Sequence, residues 1–345
     1  MNNQHISTLD GVRALAAIGI VLMHIRANTD YEIDGYFYNK IIPSFTDFVY
    51  IFMALSAFGL CCGYYEKVKT GSISLSKFYN KRFYKILPFF ACLLFLDLAV
   101  SPSVDSLYEV FACLTLMFGF LPDAGNFSVI GVGWFVGMIF VFYLIFPFFC
   151  TLLETKGKAW FAFIIAIGLN LSCTYHFNLG RHNIIYCFVF LLIGGLIFKY
   201  LDILKKIANI RNILLLLIFS FILAFSVYFY LSNYQSLIGL LLVTSCTIVV
   251  AISLNFKHGL GRYLLSNKLM SFLSSISMEI YLCHMVIFRG WEKFGLTAVT
   301  ENHILQYIIT SVLTVLGAIA FSYTLKSCIS LVSAKFHCNK LYPRS

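Results

Sequence analysis

The chain has 345 residues, of which 60% are hydrophobic and only 12% are charged, and its formal net charge is +10. A mean hydropathy of +0.86 excludes an ordinary soluble domain, and apolar runs long enough to cross a lipid bilayer recur along the chain. The basic residues concentrate in a few short segments, as the positive-inside rule requires, so the charge does not indicate a nucleic-acid partner. We therefore expect an all-α, polytopic membrane protein.

A helix over residues 11–25 is the first predicted membrane span, and a polar, mildly acidic loop separates it from a second span over residues 45–65. The loop that follows is strongly basic and should be cytoplasmic, which also puts the N-terminus inside. Its basic residues are Lys67, Lys69, Lys77, Lys81, Arg82 and Lys85. A third span is predicted over residues 83–100.

Residues 107–121 are apolar but short, and Pro102 and Pro122 bound them. If this segment crossed the membrane, Lys156 and Lys158 would lie outside, together with every later basic cluster. If the segment returns to the side from which it entered, all the basic clusters lie in the cytoplasm. We therefore predict a re-entrant or interfacial segment at this point.

The remaining spans are predicted at residues 132–153, 159–175, 183–198, 212–231, 236–254, 271–288 and 304–325. The total is about ten transmembrane helices with both termini cytoplasmic. We expect one transmembrane domain over residues 1–345, with a basic cytoplasmic tail from about residue 326 and no signal-peptide pattern in polar residues 1–8. The 11 cysteines show no metal-ligand spacing, so we expect small buried hydrophobes and no metal.

The first helix combines an arginine at its entrance with a histidine three turns further in. Arg13 and His24 are eleven residues apart, roughly 16 Å along a helix, and they share one face. Both are expensive to expose to lipid, so we expect them to face a protein-lined cavity. Two plainer roles stay open, a topology anchor for Arg13 and an interhelical hydrogen bond for His24. Asp10 is interpreted as a helix-start residue that accepts from unpaired backbone amides.

This opening segment, LDGVRALA leading to VLMH, resembles the start of the integral-membrane acyltransferase-3 family. In that family an arginine is followed, after ten residues, by the histidine assigned to catalysis, and Arg13 and His24 match this spacing. The resemblance extends over about residues 9–325. Residues 51–59, IFMALSAFG, are similar to a second family segment and should pack closely against a neighbouring helix.

A cationic pair, Arg82 and Lys85, stands on one helix face at the cytoplasmic end of the third span. Such a pair suits a phosphate or an anionic headgroup, although the pair taken alone favours ordinary positive-inside anchoring. The segment KRFYKILP resembles the family's pair of arginines three residues apart before leucine and proline. Here Lys85 replaces the second arginine, and lysine does not offer the bidentate fork of a guanidinium.

Aromatic residues around the fourth predicted span are also similar to a family pattern, with Trp134 and Tyr143 in place. Ile139 and Phe140 occupy the positions where the family often has a glutamate, so that residue's role does not carry over. Trp134 also fits an ordinary aromatic at the outer membrane interface.

The late segment SSISMEIYLCH resembles the family's serine, tyrosine, leucine and histidine pattern. Glu279 and His284 are ionisable residues in an otherwise apolar helix, which favours function, although a structural interhelical bond is the alternative. They lie five residues apart and point roughly 140° from one another, so they need not pair. We expect His284 at a depth similar to that of His24.

The resemblance implies a multi-pass acyltransferase of the bacterial inner membrane. The donor would be acetyl-CoA or another short acyl-CoA, and the acceptor a hydroxyl of a cell-surface or lipid-linked glycan such as a polysaccharide or lipopolysaccharide. The residues expected in catalysis are His24, Arg13, His284 and Glu279. Donor binding is expected of Arg13, Arg82 and Lys85, and acceptor binding of Trp134, Tyr143 and Tyr281.

Two mechanisms are open for His24, as a general base or as a covalent carrier of the acyl group. The rival from another class is a transporter or flippase for a lipid-linked or small polar substrate, in which the buried charges form a coupling site. The sequence leaves the acceptor sugar, the acyl length and the oligomeric state open.

Overall fold

The computed structural model describes residues 5–100, 102–127, 130–207, 237–255 and 260–341. Within these ranges the backbone forms helices and loops and no β-strand. Seven of the described helices are long and apolar enough to cross a membrane, or eight if one bent pair counts as a single span. The all-α polytopic class is therefore confirmed, while the total of about ten spans stays a prediction. The predicted span at 212–231 lies outside the described residues.

The helices of the first half are α1 (Thr8–Ala27), α2 (Phe48–Lys69), α3 (Leu75–Val100), α4 (Val104–Thr115) and α5 (Trp134–Leu152). Short helical turns over residues 37–47 lead into α2, so Phe37–Lys69 counts as one candidate span. The helices of the second half are α6 (Lys156–Tyr175), α7 (Ile184–Lys199), α8 (Leu201–Ile207), α9 (Leu237–Asn255), α10 (Leu260–Leu265), α11 (Lys268–Ser275), α12 (Ser277–Lys293) and α13 (His303–Leu341).

The segment at residues 107–121 does not form a helix of spanning length. The 12 residues of α4 cover only about 18 Å, against the ~30 Å of a hydrocarbon core. The helix ends because Leu116 adopts a left-handed conformation with φ of 59°, and the tight turn Met117–Phe120 follows. This geometry agrees with the predicted re-entrant or interfacial segment.

The single span predicted over residues 271–288 is wrong in its first part. The chain bends by 59° between Gly261–Ser275 and Ser277–Lys293, and the regular helix α12 begins only after the bend. The serines at the bend compete for backbone hydrogen bonds, since Ser275 Oγ donates to Phe272 O and Ser277 Oγ to Ser274 O. Similarly, the segment from residue 326 continues α13 as helix as far as Leu341.

Helix ends meet at two opposite faces of the molecule. At one face, Thr8 Oγ1 donates to Ala251 O over 2.6 Å, which joins the start of α1 to the end of α9. Lys326 at this face reaches Ser275 O. A cavity lies here between the start of α1, the end of α2 and α8, and His5, Lys67 and Lys205 are among the residues that line it. We call this the basic face, and the positive-inside rule predicts that it is cytoplasmic.

The opposite face collects the other ends of the same helices. Arg289 of α12 donates to Asn28 Oδ1 over 3.1 Å, just beyond the end of α1. The hydroxyl of Tyr31 donates to Thr297 O over 2.7 Å and so joins the loop after α1 to the loop before α13. We call this the outer face, because the predicted topology puts it outside.

The backbones of α2 and α7 approach each other closely at Gly194. A Cβ atom added at Gly194 would lie 2.1 Å from Ala54 O, so only glycine fits there. The rings of Tyr50 and Phe190 stack nearby with centroids 4.0 Å apart. Small residues permit such packing in membrane proteins, where dispersion contacts hold the helices together.

We expect Gly194→Ala to lower the free energy of unfolding by about 1–3 kcal/mol, because α2 and α7 must move apart. Thermal unfolding of purified protein in detergent measures the loss. The matched control is Gly168→Ala in α6, where an added Cβ has no atom within 4 Å and alanine favours the helix. Equal melting temperatures for the two variants would contradict the close α2–α7 contact.

Candidate active site

A cavity of about 580 Å³ lies between α1, α2, α3, α5 and the bent pair α11–α12, at the basic face. Its volume is within the usual range of ligand pockets, about 300–1,000 Å³. Six of the nine predicted site residues line it: Arg13, Arg82, Lys85, Tyr143, Glu279 and Tyr281. The other three, His24, His284 and Trp134, lie beyond it toward the outer face.

Asp10, one turn before Arg13 in α1, holds the Arg13 side chain in the cavity. Arg13 Nη1 lies 3.5 Å from Asp10 Oδ1, and the Asp10 carboxylate also contacts His5 Nε2 at 2.9 Å. Ser274 Oγ donates to the same carboxylate over 3.2 Å. Asp10 lies in the first turn of α1, as expected of a helix-start residue, whereas Ser7 occupies the N-cap position without a side-chain cap bond. Asp10 binds Arg13 and ties α1 to α11.

Arg82 is fixed by aromatic side chains at the same cavity wall. Its Nη2 donates to the Tyr64 hydroxyl over 2.6 Å, and its guanidinium carbon lies 4.6 Å from the Tyr64 ring centroid and 5.7 Å from that of Tyr143. Stacking on rings orients a guanidinium without neutralising it. Lys85, one turn further on, is exposed at the edge of the cavity. The two cations therefore remain available to an anion.

Glu279 forms a bridge between α12 and α13. Its Oε1 lies 2.6 Å from Lys326 Nζ, which also donates to Ser275 O over 2.6 Å. The Glu279 side chain is only 9% exposed, whereas that of Lys326 is 43% exposed. The sequence assigned Lys326 only to a basic tail. A carboxylate in an apolar helix does require a cation, but nothing in the sequence indicates which one.

Three aromatic rings line the cavity on the side that faces the outer half of the bundle. The centroids of Phe135 and Tyr281 are 5.3 Å apart, those of Phe52 and Phe135 6.2 Å, and those of Phe52 and Tyr281 6.4 Å. We call these three residues the aromatic layer. Beyond it, the ring of His284 lies 6.1 Å from that of Tyr281.

His24 and His284 meet beyond the aromatic layer, with ring centroids 5.1 Å apart and planes tilted by 44°. This agrees with the expectation that they lie at a similar depth. His284 is fully buried, and its Nδ1 lies 2.7 Å from Tyr281 O, which assigns the proton of the neutral ring to Nδ1. Its Nε2 is then an acceptor, buried and without a partner in the described part of the chain.

Trp134 lies on the outer side of the histidine pair. It is only 5% exposed, with its ring 4.7 Å from that of His182 and 6.0 Å from the Arg181 guanidinium carbon. His182 Nδ1 lies 3.0 Å from Asp123 Oδ1; burial lowers the pKa of His182, although Asp123 opposes that shift. This loop cluster was not predicted from the sequence. Its only signal there is the adjacent pair of Arg181 and His182 between two predicted spans.

A family model described as an acyltransferase domain matches residues 6–323. The chain therefore belongs to the acyltransferase-3 family, and its apolar helices make it a multi-pass membrane acyltransferase. Neither the curated proteins nor the solved structures compared with the chain match it. Among the described residues, no group of three or more His, Cys, Asp or Glu side chains is placed to hold a metal ion.

We expect Lys326→Met to lower the free energy of unfolding by about 1–3 kcal/mol, because it leaves the buried Glu279 carboxylate unpaired. Part of that cost is screened, since Lys326 itself is half exposed. Adding Glu279→Gln should recover most of the loss. Thermal unfolding of the two single variants and the double variant forms a double-mutant cycle. Strictly additive effects would contradict a direct Glu279–Lys326 pair.

Proposed function

We propose that the protein transfers an acetyl or other short acyl group from cytoplasmic acyl-CoA to a hydroxyl of a cell-surface or lipid-linked glycan, in a bacterial inner membrane. The observation that carries this proposal is the order of the groups across the bundle. A cationic cavity at the basic face is followed by the aromatic layer and then by the His24–His284 pair. A donor and an acceptor can therefore approach the histidines from opposite sides.

The residues at the cavity suit a CoA thioester as the donor substrate. CoA carries its phosphates at the nucleotide end and its thioester at the tip of a long pantetheine arm. Arg13, Arg82 and Lys85 supply cations for the phosphates, and apolar side chains such as Leu60 and Ile86 line the rest of the cavity. An extended arm covers much of the roughly 16 Å between Arg13 and His24.

The proposed reaction forms one C–O bond and breaks one C–S bond. The acceptor hydroxyl oxygen attacks the thioester carbonyl carbon while its proton passes to an imidazole nitrogen of His24. When the tetrahedral adduct collapses, the thiolate leaves and takes this proton from the His24 imidazolium, which gives the ester, free CoA and a neutral His24. His284, held by Tyr281 O, presents its unpaired Nε2 to this region, with its ring 5.1 Å from that of His24. The aromatic layer shields the acyl tip from water in the cavity.

A covalent acyl-His24 intermediate differs from this scheme in a measurable way. The acyl group would first bond to the imidazole with loss of CoA, and the acceptor hydroxyl would then displace it. The protein is incubated with radiolabelled acetyl-CoA without acceptor and then rapidly quenched. Label remains on the protein if the acyl-His24 intermediate forms, and no label remains if His24 acts only as a general base.

We expect His24→Ala to abolish acyl transfer while membrane abundance stays near normal, because one interhelical hydrogen bond contributes only about 1 kcal/mol. The measurement is acetyl-CoA consumption by protein in nanodiscs, with mass spectrometry of surface glycans from cells with and without the gene. The control is His303→Ala, a histidine of the outer face whose ring lies 6.1 Å from that of Tyr31. Wild-type turnover in His24→Ala would sink this mechanism.

We expect Arg82→Ala to weaken acetyl-CoA binding by about ten-fold or more, since a charge-assisted phosphate contact contributes ~1.5–3 kcal/mol. Arg13→Ala should cost more because it also leaves Asp10 without its arginine, and Lys85→Ala should cost least. Calorimetric titration of the purified variants measures this order, and Lys81→Ala, exposed outside the cavity, is the control. A wild-type protein that binds no acyl-CoA would favour the transporter or flippase alternative.

A further inference from the structure

Arg181, in the loop between α6 and α7 at the outer face, takes no part in the donor cavity or the histidine pair. Its Nη1 donates to Thr46 Oγ1, and its guanidinium carbon lies 6.0 Å from the Trp134 ring centroid. Its charge also acts on Asp47. A guanidinium offers five donors, and Thr46 takes one of them.

The backbone that positions Arg181 is fixed on both sides. Cys187 Sγ at the start of α7 donates to Arg181 O over 3.1 Å. The carbonyl of the next residue, His182, accepts from Ala124 N over 3.1 Å, and the His182 ring contacts Asp123 at 3.0 Å. The loop is therefore tied both to its own helix and to the turn before α5. Little conformational freedom remains to be lost when a ligand binds.

Arg181 also lies on the acceptor side of the proposed reaction centre. Its charge acts on His24 and on Tyr281 of the aromatic layer. The Trp134 ring on which it is seated lies 5.9 Å from Phe135 of the same layer. An anion bound here would be separated from the donor cavity by the three aromatic rings. It would approach the histidine pair from the outer face.

We propose that Arg181, seated on Trp134 and Thr46, binds an anionic group of the acyl acceptor, either a phosphate or a carboxylate. This inference rests on the proposed function and refines it, since it makes the acceptor an acidic or phosphorylated glycan. The planar fork of a guanidinium matches two oxygens of either group. Trp134 is a positioning residue in this scheme, because its ring is buried beneath Arg181 and His182.

The test uses full-length protein in nanodiscs and three soluble probes: glucose 1-phosphate, methyl glucuronide and the neutral methyl glucoside. CoA is present in excess so that the cationic cavity does not compete for the probes. We expect calorimetry to show that at least one anionic probe binds about ten-fold or more tightly than methyl glucoside. The phosphate and carboxylate probes distinguish the two anion types.

Arg181→Gln should reduce the affinity for the anionic probe to that for methyl glucoside without changing CoA affinity. Arg181→Lys, which keeps the charge and loses the fork, should be intermediate and serves if the glutamine variant does not fold. Arg289→Gln is the matched control, an outer-face arginine that is already paired with Glu292 at 2.7 Å. Arg82→Gln should show the reverse pattern, with weaker CoA binding and unchanged probe binding.

Equal anionic-probe affinity in wild type and the Arg181 variants would overturn the inference. Binding of the probes in phospholipid-free detergent but not in nanodiscs would overturn it too, because the occupant would then be a lipid headgroup phosphate. Absence of CoA binding to wild type contradicts the donor site instead. In that case the probes are titrated against Arg82→Gln, in which the cationic cavity is weakened, and the anion site at Arg181 is judged from that titration.

Discussion

The packing of the helices on the basic side of the molecule depends on the contacts of the Asp10 carboxylate. An arginine within a membrane helix is costly unless it has a partner or water, and Arg13 has both in Asp10 and the cavity. The same carboxylate accepts a hydrogen bond from Ser274, so the partner that Arg13 requires also holds α11 against α1. Close packing of α1 on the end of α10, the helix before α11, supports this arrangement, because a Cβ at Gly11 would lie 2.4 Å from Leu265 O. Charge neutralisation and helix packing are thus satisfied at one point.

The interior is divided by polarity. The charged side chains that line the cavity lie on the basic side of Phe52, Phe135 and Tyr281, and the two imidazoles lie on the other side. Neutral histidines are cheaper to bury than guanidinium groups, so this order also follows the cost of desolvation. The aromatic layer therefore separates the guanidinium groups of the cavity from the His24–His284 pair.

Periodicity and charge in the sequence predicted most of the helices, because membrane spans must be long, apolar and internally hydrogen-bonded. The predicted topology also put His24 and His284 at a similar depth, which agrees with the 5.1 Å between their ring centroids. The bend before Ser277 was not predictable, since it arises from local serine bonds within an apolar run. The partners of Glu279 and Trp134 were missed for a different reason. Lys326 and Arg181 are distant in sequence, and only tertiary packing brings them near.

The length of α13 has a mechanical consequence. The helix runs from His303 to Leu341, 39 residues or about 58 Å, nearly twice the thickness of a hydrocarbon core. Fifteen of those residues follow Lys326, so a stiff lever of about 22 Å extends beyond the Glu279 pair. A small rotation at the far end of this lever turns the lysine about the helix axis, toward or away from the mouth of the cavity. The connection of this lever to the cavity is the ion pair of Lys326 with Glu279, because Glu279 lines the cavity.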